Sequence, residues 1–79
     1  PLVTTENCKI GLFVRRGRDW MWDNQDHDKG KKATGIITFC DREGTKLAKV
    51  QWAGGNHKSY RIGANSAFDL SIKGINKNS

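Results

Sequence analysis

The chain has 79 residues, a formal charge of +6, nine Gly, one Pro and two Cys. A domain this small buries only about 60% of the surface its unfolded chain exposes, so its core is thin and a deep catalytic cleft is excluded in favour of shallow binding surfaces. No apolar run approaches the roughly 20 residues of a membrane-spanning helix, and the first residues are too polar for the core of a signal peptide.

Residues 1–10 show no hydrophobic periodicity and are expected to form a flexible lead-in to a domain over residues 11–72. The missing initiator Met is read as the mark of a fragment of a longer protein. Leu12, Phe13 and Val14 form a short apolar run after Gly11, which predicts a first strand. Residues 15–34 then read as one long polar loop carrying Trp20 and Trp22. Loops beyond about 12–15 residues are uncommon in compact domains unless they carry function or are disordered, and two Trp argue against disorder.

A β-branched and aromatic stretch, residues 35–40, predicts the second strand. Asp41, Gly44 and Thr45 mark the turn that follows. Over Leu47–Trp52 the pattern alternates, with Ala48, Val50 and Trp52 on one face and Lys49 and Gln51 on the other. Gly54, Gly55 and Asn56 supply a hairpin turn into a fourth strand over residues 58–62. Residues 63–68 read as a tight helical turn or bend, residues 69–72 as a last short strand, and residues 73–79 as a flexible tail. Five short strands with no helix signal predict an all-β fold, a small closed or nearly closed SH3-like barrel with the long loop after its first strand.

Four of the eight acids, Asp19, Asp23, Asp26 and Asp28, fall in a ten-residue stretch without Lys or Arg. Arg15, Arg16 and Arg18 precede it, and Lys29, Lys31 and Lys32 follow. The expected surface is an acidic patch rimmed by positive charge, not a uniform phosphate track. Cys8 and Cys40 are too few for the disulfide framework of a small secreted domain. They are expected to be reduced thiols in a cytoplasmic, or alternatively nuclear, protein, although a single bridge between them is compatible with the sequence.

Three blocks carry a family resemblance. The first is Val14-Arg15-Arg16-Gly17-Arg18-Asp19-Trp20-Met21-Trp22 with Gln25-Asp26. The second is Val50-Gln51-Trp52 with Gly55, and the third is Tyr60-Arg61-Ile62-Gly63 with Asp69-Leu70. Together they resemble the mind-bomb/HERC domain of large ubiquitin ligases. Two positions depart from that pattern: His27, Asp28 and Lys29 precede Gly30 where the family has Gly directly after Gln-Asp, and Ala53 stands where an acid follows the strand Trp. The resemblance implies an SH3-like barrel, a parent E3 ubiquitin-protein ligase of mind-bomb, HERC or HECT type, and a domain that engages a substrate or another domain while ubiquitin is transferred elsewhere in the parent.

Each candidate residue has a functional and a structural reading. Trp20 and Trp22, two apart, would share one face of an extended segment and wall a groove for an extended peptide, or plug the end of a small core. Asp23 and Asp28 are candidates for contact with a ligand's Lys or Arg, whereas Asp19 and Asp26 are expected to cap loops. Arg61 is either a clamp for an acidic group or the internal partner of Asp19 or Asp69. Trp52, Tyr60 and Asp69 are expected to be structural.

No cofactor is expected. Cys8, Cys40, His27 and His57 lack the spacing of a zinc site, and the acids of residues 26–28 lack the Gly and Glu of a calcium loop. No catalytic triad or dyad is apparent. The leading expectation is therefore a non-catalytic module, monomeric in isolation, for an extended peptide of basic or mixed charge. A small basic nucleic-acid binder is the alternative, disfavoured because its aromatics stand among acids instead of bases.

Overall fold

The computed structural model describes residues 1–75. Seven strands follow in order: β1 Leu12–Arg16, β2 His27–Asp28, β3 Lys31–Lys32, β4 Gly35–Asp41, β5 Leu47–Trp52, β6 His57–Arg61 and β7 Leu70–Ile75. A 3₁₀ turn, Ala64–Ser66, separates β6 from β7. Five strands make one antiparallel sheet in the order β6-β5-β4-β1-β7, and β2 and β3 form a separate hairpin.

The alternation read in β5 holds, with Ala48, Val50 and Trp52 buried and Lys49 exposed. β4 starts the same way, burying Gly35 and Ile37, but its register against β5 slips between Ile37 and Phe39. The bulge leaves Thr38 without a partner and turns Phe39 outward, where it is 51% exposed. In an unbroken strand Ile37 and Phe39 would share a face. The inner face of the sheet packs Val14, Ile37, Val50, Trp52, Tyr60, Ile62 and Leu70 into one cluster.

The sheet does not close into a barrel. Among the described residues its edge strands β6 and β7 meet at one corner, through an isolated bridge between Ile62 and Phe68 and a bond from the Asp69 N–H to the Arg61 carbonyl of 2.9 Å. The free edge of β7, which closure would need, is taken by the lead-in: Leu2 bridges Ser71, the Val3 N–H bonds the Leu70 carbonyl at 2.9 Å, and Ile72 N–H bonds the Pro1 carbonyl at 2.8 Å.

Residues 1–10 are accordingly not a loose lead-in, as expected from their polarity. Val3 is fully buried in the core cluster, and the Arg42 guanidinium holds the carbonyls of Thr5 and Cys8. The expectation of reduced thiols is corrected as well: Cys8 and Cys40 form a disulfide, with Cα atoms 6.2 Å apart. Docking of the lead-in brings Cys8 to the sheet, and Cys40 follows the β4 bulge, so a pair 32 residues apart in sequence becomes adjacent. The tail also starts later than expected, since β7 continues through Lys73 to Ile75. The remainder of that tail, residues 76–79, lies outside the described residues.

Candidate functional site

Residues 17–34 form a flap across one end of the sheet, and its first residue must pass very close to β7. A Cβ on Gly17 would sit 2.5 Å from the Leu70 backbone nitrogen, so only Gly fits while its N–H bonds the Asp69 carbonyl at 2.6 Å. Beyond it the chain runs in turns, with Asp23 in the left-handed region at φ 48°. The β2–β3 hairpin then closes through Lys29 and Gly30 at φ 53° and 79°, the pair of positive values that a tight two-residue hairpin turn needs. The far end of the flap rests on the β5–β6 hairpin, where a Cβ on Gly54 would collide with the His27 carbonyl. The long loop expected over residues 15–34 is thus the end of β1, a turn region and a small hairpin.

Two buried carboxylates hold this flap. Asp26, 1% exposed, receives Arg16 in bidentate fashion, Nε to Oδ2 at 2.7 Å and Nη2 to Oδ1 at 3.0 Å. Asp69, fully buried, receives the Arg61 backbone N–H at 2.8 Å, Arg61 Nε at 2.9 Å and Nη2 at 2.7 Å, and Trp22 Nε1 at 2.9 Å. Paired charges of this kind tolerate burial because each carboxylate oxygen accepts at least one hydrogen bond from a cation. The hydrogen bonds to Asp26 and Asp69 raise the pKa of Arg16 and Arg61 respectively, fixing both as cations. Asp19 bonds the Phe68 N–H at 2.8 Å; that bond first, and Arg18 second, holds its carboxyl below its ordinary pKa.

Aromatic rings fill the space beneath. Trp20 stacks on Tyr60 with centroids 5.2 Å apart and planes 18° off parallel, and meets the edge of Trp52 at 5.6 Å. Trp22 meets Tyr60 edge-on at 6.2 Å. The Trp52 indole N–H donates to the Tyr60 hydroxyl, which in turn donates to Gln25 Oε1, each at 2.8 Å. Burial raises the pKa of that phenol, which remains a donor at neutral pH.

The structure separates the candidates from the sequence. Trp20 and Trp22 both pack against the core cluster while Met21 between them is exposed, so the two rings turn inward beneath the flap. The Arg61 fork is occupied by Asp69 and by the Asp19 carbonyl at 3.0 Å, so its Nε and Nη2 point inward and not toward a ligand. Asp19, Asp26 and Asp69 are engaged within the fold, as just described. Asp23 offers its carbonyl to Trp20 Nε1 and Arg16 Nη2, yet its carboxylate, and that of Asp28, makes no hydrogen bond or ion pair among the described residues. His27 lies 3.8 Å from Asp26, and His57 bonds Thr38 Oγ1 at 2.9 Å.

Three residues of the recurring blocks had no assigned role in the sequence. Gln25 joins the flap to Tyr60, Arg16 joins it to β1, and Met21 stands 62% exposed at its crest. Their block showed that they matter; only the fold shows to what. Two concavities have linings that include none of Asp23, Asp28 and Met21. One of about 330 Å³ is lined by Arg15, Arg16, Lys32, Thr34 and Lys73 among others, and a second of about 350 Å³, lined by Phe13, Ile36 and Trp52 among others, shares Thr34 with it.

Residues 11–73 match the Mib_herc2 family model. The chain is 37% identical over 69 residues to the E3 ubiquitin-protein ligase MIB2 of Gallus gallus, covering 81% of this chain and 7% of that protein. It is 46% identical over 57 residues to the E3 ubiquitin-protein ligase hecd-1 of Caenorhabditis elegans, covering 72% of this chain and 2% of that protein. It is 36% identical over 64 residues to the human E3 ubiquitin-protein ligase HERC2, covering 81% of this chain and 1% of that protein. The chain spans a small fraction of each relative's length. On a family match covering most of its residues, the chain belongs to the Mib_herc2 family.

Proposed function

We propose that this chain is a non-catalytic protein-interaction module of an E3 ubiquitin-protein ligase, holding a substrate or a neighbouring domain while ubiquitin is transferred by a separate HECT or RING domain. One observation carries the reading: of the acids on the flap, Asp19 and Asp26 are engaged internally, whereas Asp23 and Asp28 leave their carboxylates unpaired on an anchored surface. Exposed Met21 lies between the two Trp in the chain and adds a soft apolar contact. An extended segment of basic or mixed charge would lay its Lys or Arg on these carboxylates and its apolar residues on Met21 and the outer edge of Trp22.

In this reading Trp20 and Arg61 position the flap and do not touch the ligand. The sheet order β6-β5-β4-β1-β7 supports an SH3-like ancestry, with the edges left open. A monomeric domain without a cofactor, in the cytoplasm or nucleus, belongs to the same proposal. In a reducing compartment the Cys8–Cys40 bond would open, and the fold would then rely on the core and the Arg42 contacts.

The test is a titration of the 79-residue chain with Lys/Leu and mixed-charge peptides, followed by Trp fluorescence. Saturable micromolar binding that is lost in an Asp23→Asn, Asp28→Asn double variant supports the placement. Binding that ignores both substitutions moves the partner elsewhere. Release of ubiquitin from a charged conjugating enzyme by this chain alone would overturn the non-catalytic assignment.

A further inference from the structure

Neither Asp23 nor Asp28 lines the paired concavities, whose unpaired charges are of the opposite sign. Among the lining residues Arg16 is neutralised by Asp26, while Arg15, Lys32 and Lys73 have no ion-pair partner among the described residues. Lys73 is where it is because of a defect in the ladder. β7 pairs Val14 with Ile72 and Phe13 with Gly74, so Lys73 is the extra residue of a bulge. Bulges re-aim side chains, and here Lys73 Nζ donates to Thr34 Oγ1 at 2.6 Å. Thr34 is the residue common to both concavities, so the bulge sets an ammonium at their junction. On the far side of Thr34 the lining turns apolar, with Phe13, Ile36 and Trp52.

We propose that this groove is a second recognition surface, for an acidic peptide segment of a protein partner that places carboxylates against Arg15, Lys32 and Lys73 and an apolar side chain against Phe13 and Ile36. The charged side chains line one half and Phe13 and Ile36 the other, which matches an extended segment whose alternate side chains face opposite sides. A nucleic-acid backbone would bring phosphate to both halves, and the largest ring available for base stacking, Trp52, is 1% exposed. The inference goes beyond the function proposed above, since it concerns different residues and a ligand of opposite sign.

The experiment uses the 79-residue chain and a fluorescein-labelled peptide of alternating Glu and Leu, with fluorescence polarisation and amide chemical-shift mapping. Saturable binding is expected, with shifts at Phe13, Arg15, Lys32, Thr34 and Lys73. An Arg15→Glu, Lys73→Glu double variant is expected to weaken it about tenfold or more, through loss of charge complementarity. Both residues are exposed on the surface, and a separate Lys32→Ala variant with a smaller loss checks the same surface with little risk to folding. Asp23→Asn with Asp28→Asn, the substitutions that test the flap, is expected to leave Glu/Leu binding unweakened, so the two proposals fail independently. No shifts at peptide concentrations of about 1 mM, where even weak complexes form, would overturn the groove, as would unchanged affinity in the charge-reversed chain. Displacement of the peptide by a tighter-binding single-stranded oligonucleotide would also overturn it, in favour of phosphate recognition.

Discussion

Through β4 and β5 the chain buries Gly35, Ile37, Ala48, Val50 and Trp52, whereas across residues 17–34 the one buried residue is a carboxylate, Asp26. The sheet is held by apolar burial, which is non-directional and shared among many neighbours. The flap is held by a few directional bonds to Asp26, Asp69 and Gln25, with two half-buried Trp wedged beneath it. A thin core has little apolar surface to offer a long excursion, so the excursion is fastened by ion pairs and indole N–H groups instead. Fastening of this kind fixes geometry while leaving the outer surface polar, which suits a docking face.

Substitutions that separate the two regimes sharpen this contrast. Trp52→Ala removes the largest core side chain and is expected to cost about 3–5 kcal/mol, taking sheet and flap together in one thermal transition. Two separate transitions would mean that the flap is not built on the sheet. Cys8→Ser with Cys40→Ser opens a loop of 32 residues and is expected to cost about 4 kcal/mol by loop-closure entropy. Denaturant unfolding with and without reductant checks this, and amide exchange should rise first in residues 1–8.

Asp26→Ala leaves Arg16 without its partner. Because Arg16 keeps partial access to water, the expected loss is about 2 kcal/mol, below that of a fully buried pair. Amide protection should drop over residues 23–33 while β4 and β5 keep theirs; equal loss in both regions would erase the distinction between them. Tyr60→Phe removes the hydroxyl that links Trp52 to Gln25 and is expected to cost about 1 kcal/mol, with a shift in Trp emission as the indole N–H loses its acceptor.

The smallest effect is acid sensitivity. Asp19 and Asp41 have carboxyl pKa values below the ordinary 3.8, Asp19 chiefly through the Phe68 N–H and Asp41 chiefly through the Thr45 N–H. A folded-state pKa below the unfolded one means that this contribution is complete above about pH 4 and is lost as pH falls through the lowered values. A modest drop in stability is therefore expected only below that range, with the Phe68, Gly44 and Thr45 amides losing protection as it occurs.

Local patterns in the sequence determined the strands of the main sheet, though not the short β2–β3 hairpin. Alternation in β5, the β-branched run of β4 and the Gly-Gly-Asn turn each depend on neighbours within a few residues, and each lies where it was read, to within a residue or two. The blocks around Trp20, Trp52 and Tyr60 determined the family, because their spacing preserves one aromatic cluster. Contacts between distant segments were beyond such patterns. Polarity made residues 1–10 look loose, yet their backbone N–H and C=O groups complete the edge of β7, and a backbone bond carries no side-chain signature. The same docking joined Cys8 to Cys40, and the bulges at Thr38 and Lys73 redirected side chains that a regular strand would have turned the other way. Pairing an edge strand and inserting a bulge are decided by which partner arrives alongside, so only the tertiary structure could settle an open sheet over a closed barrel.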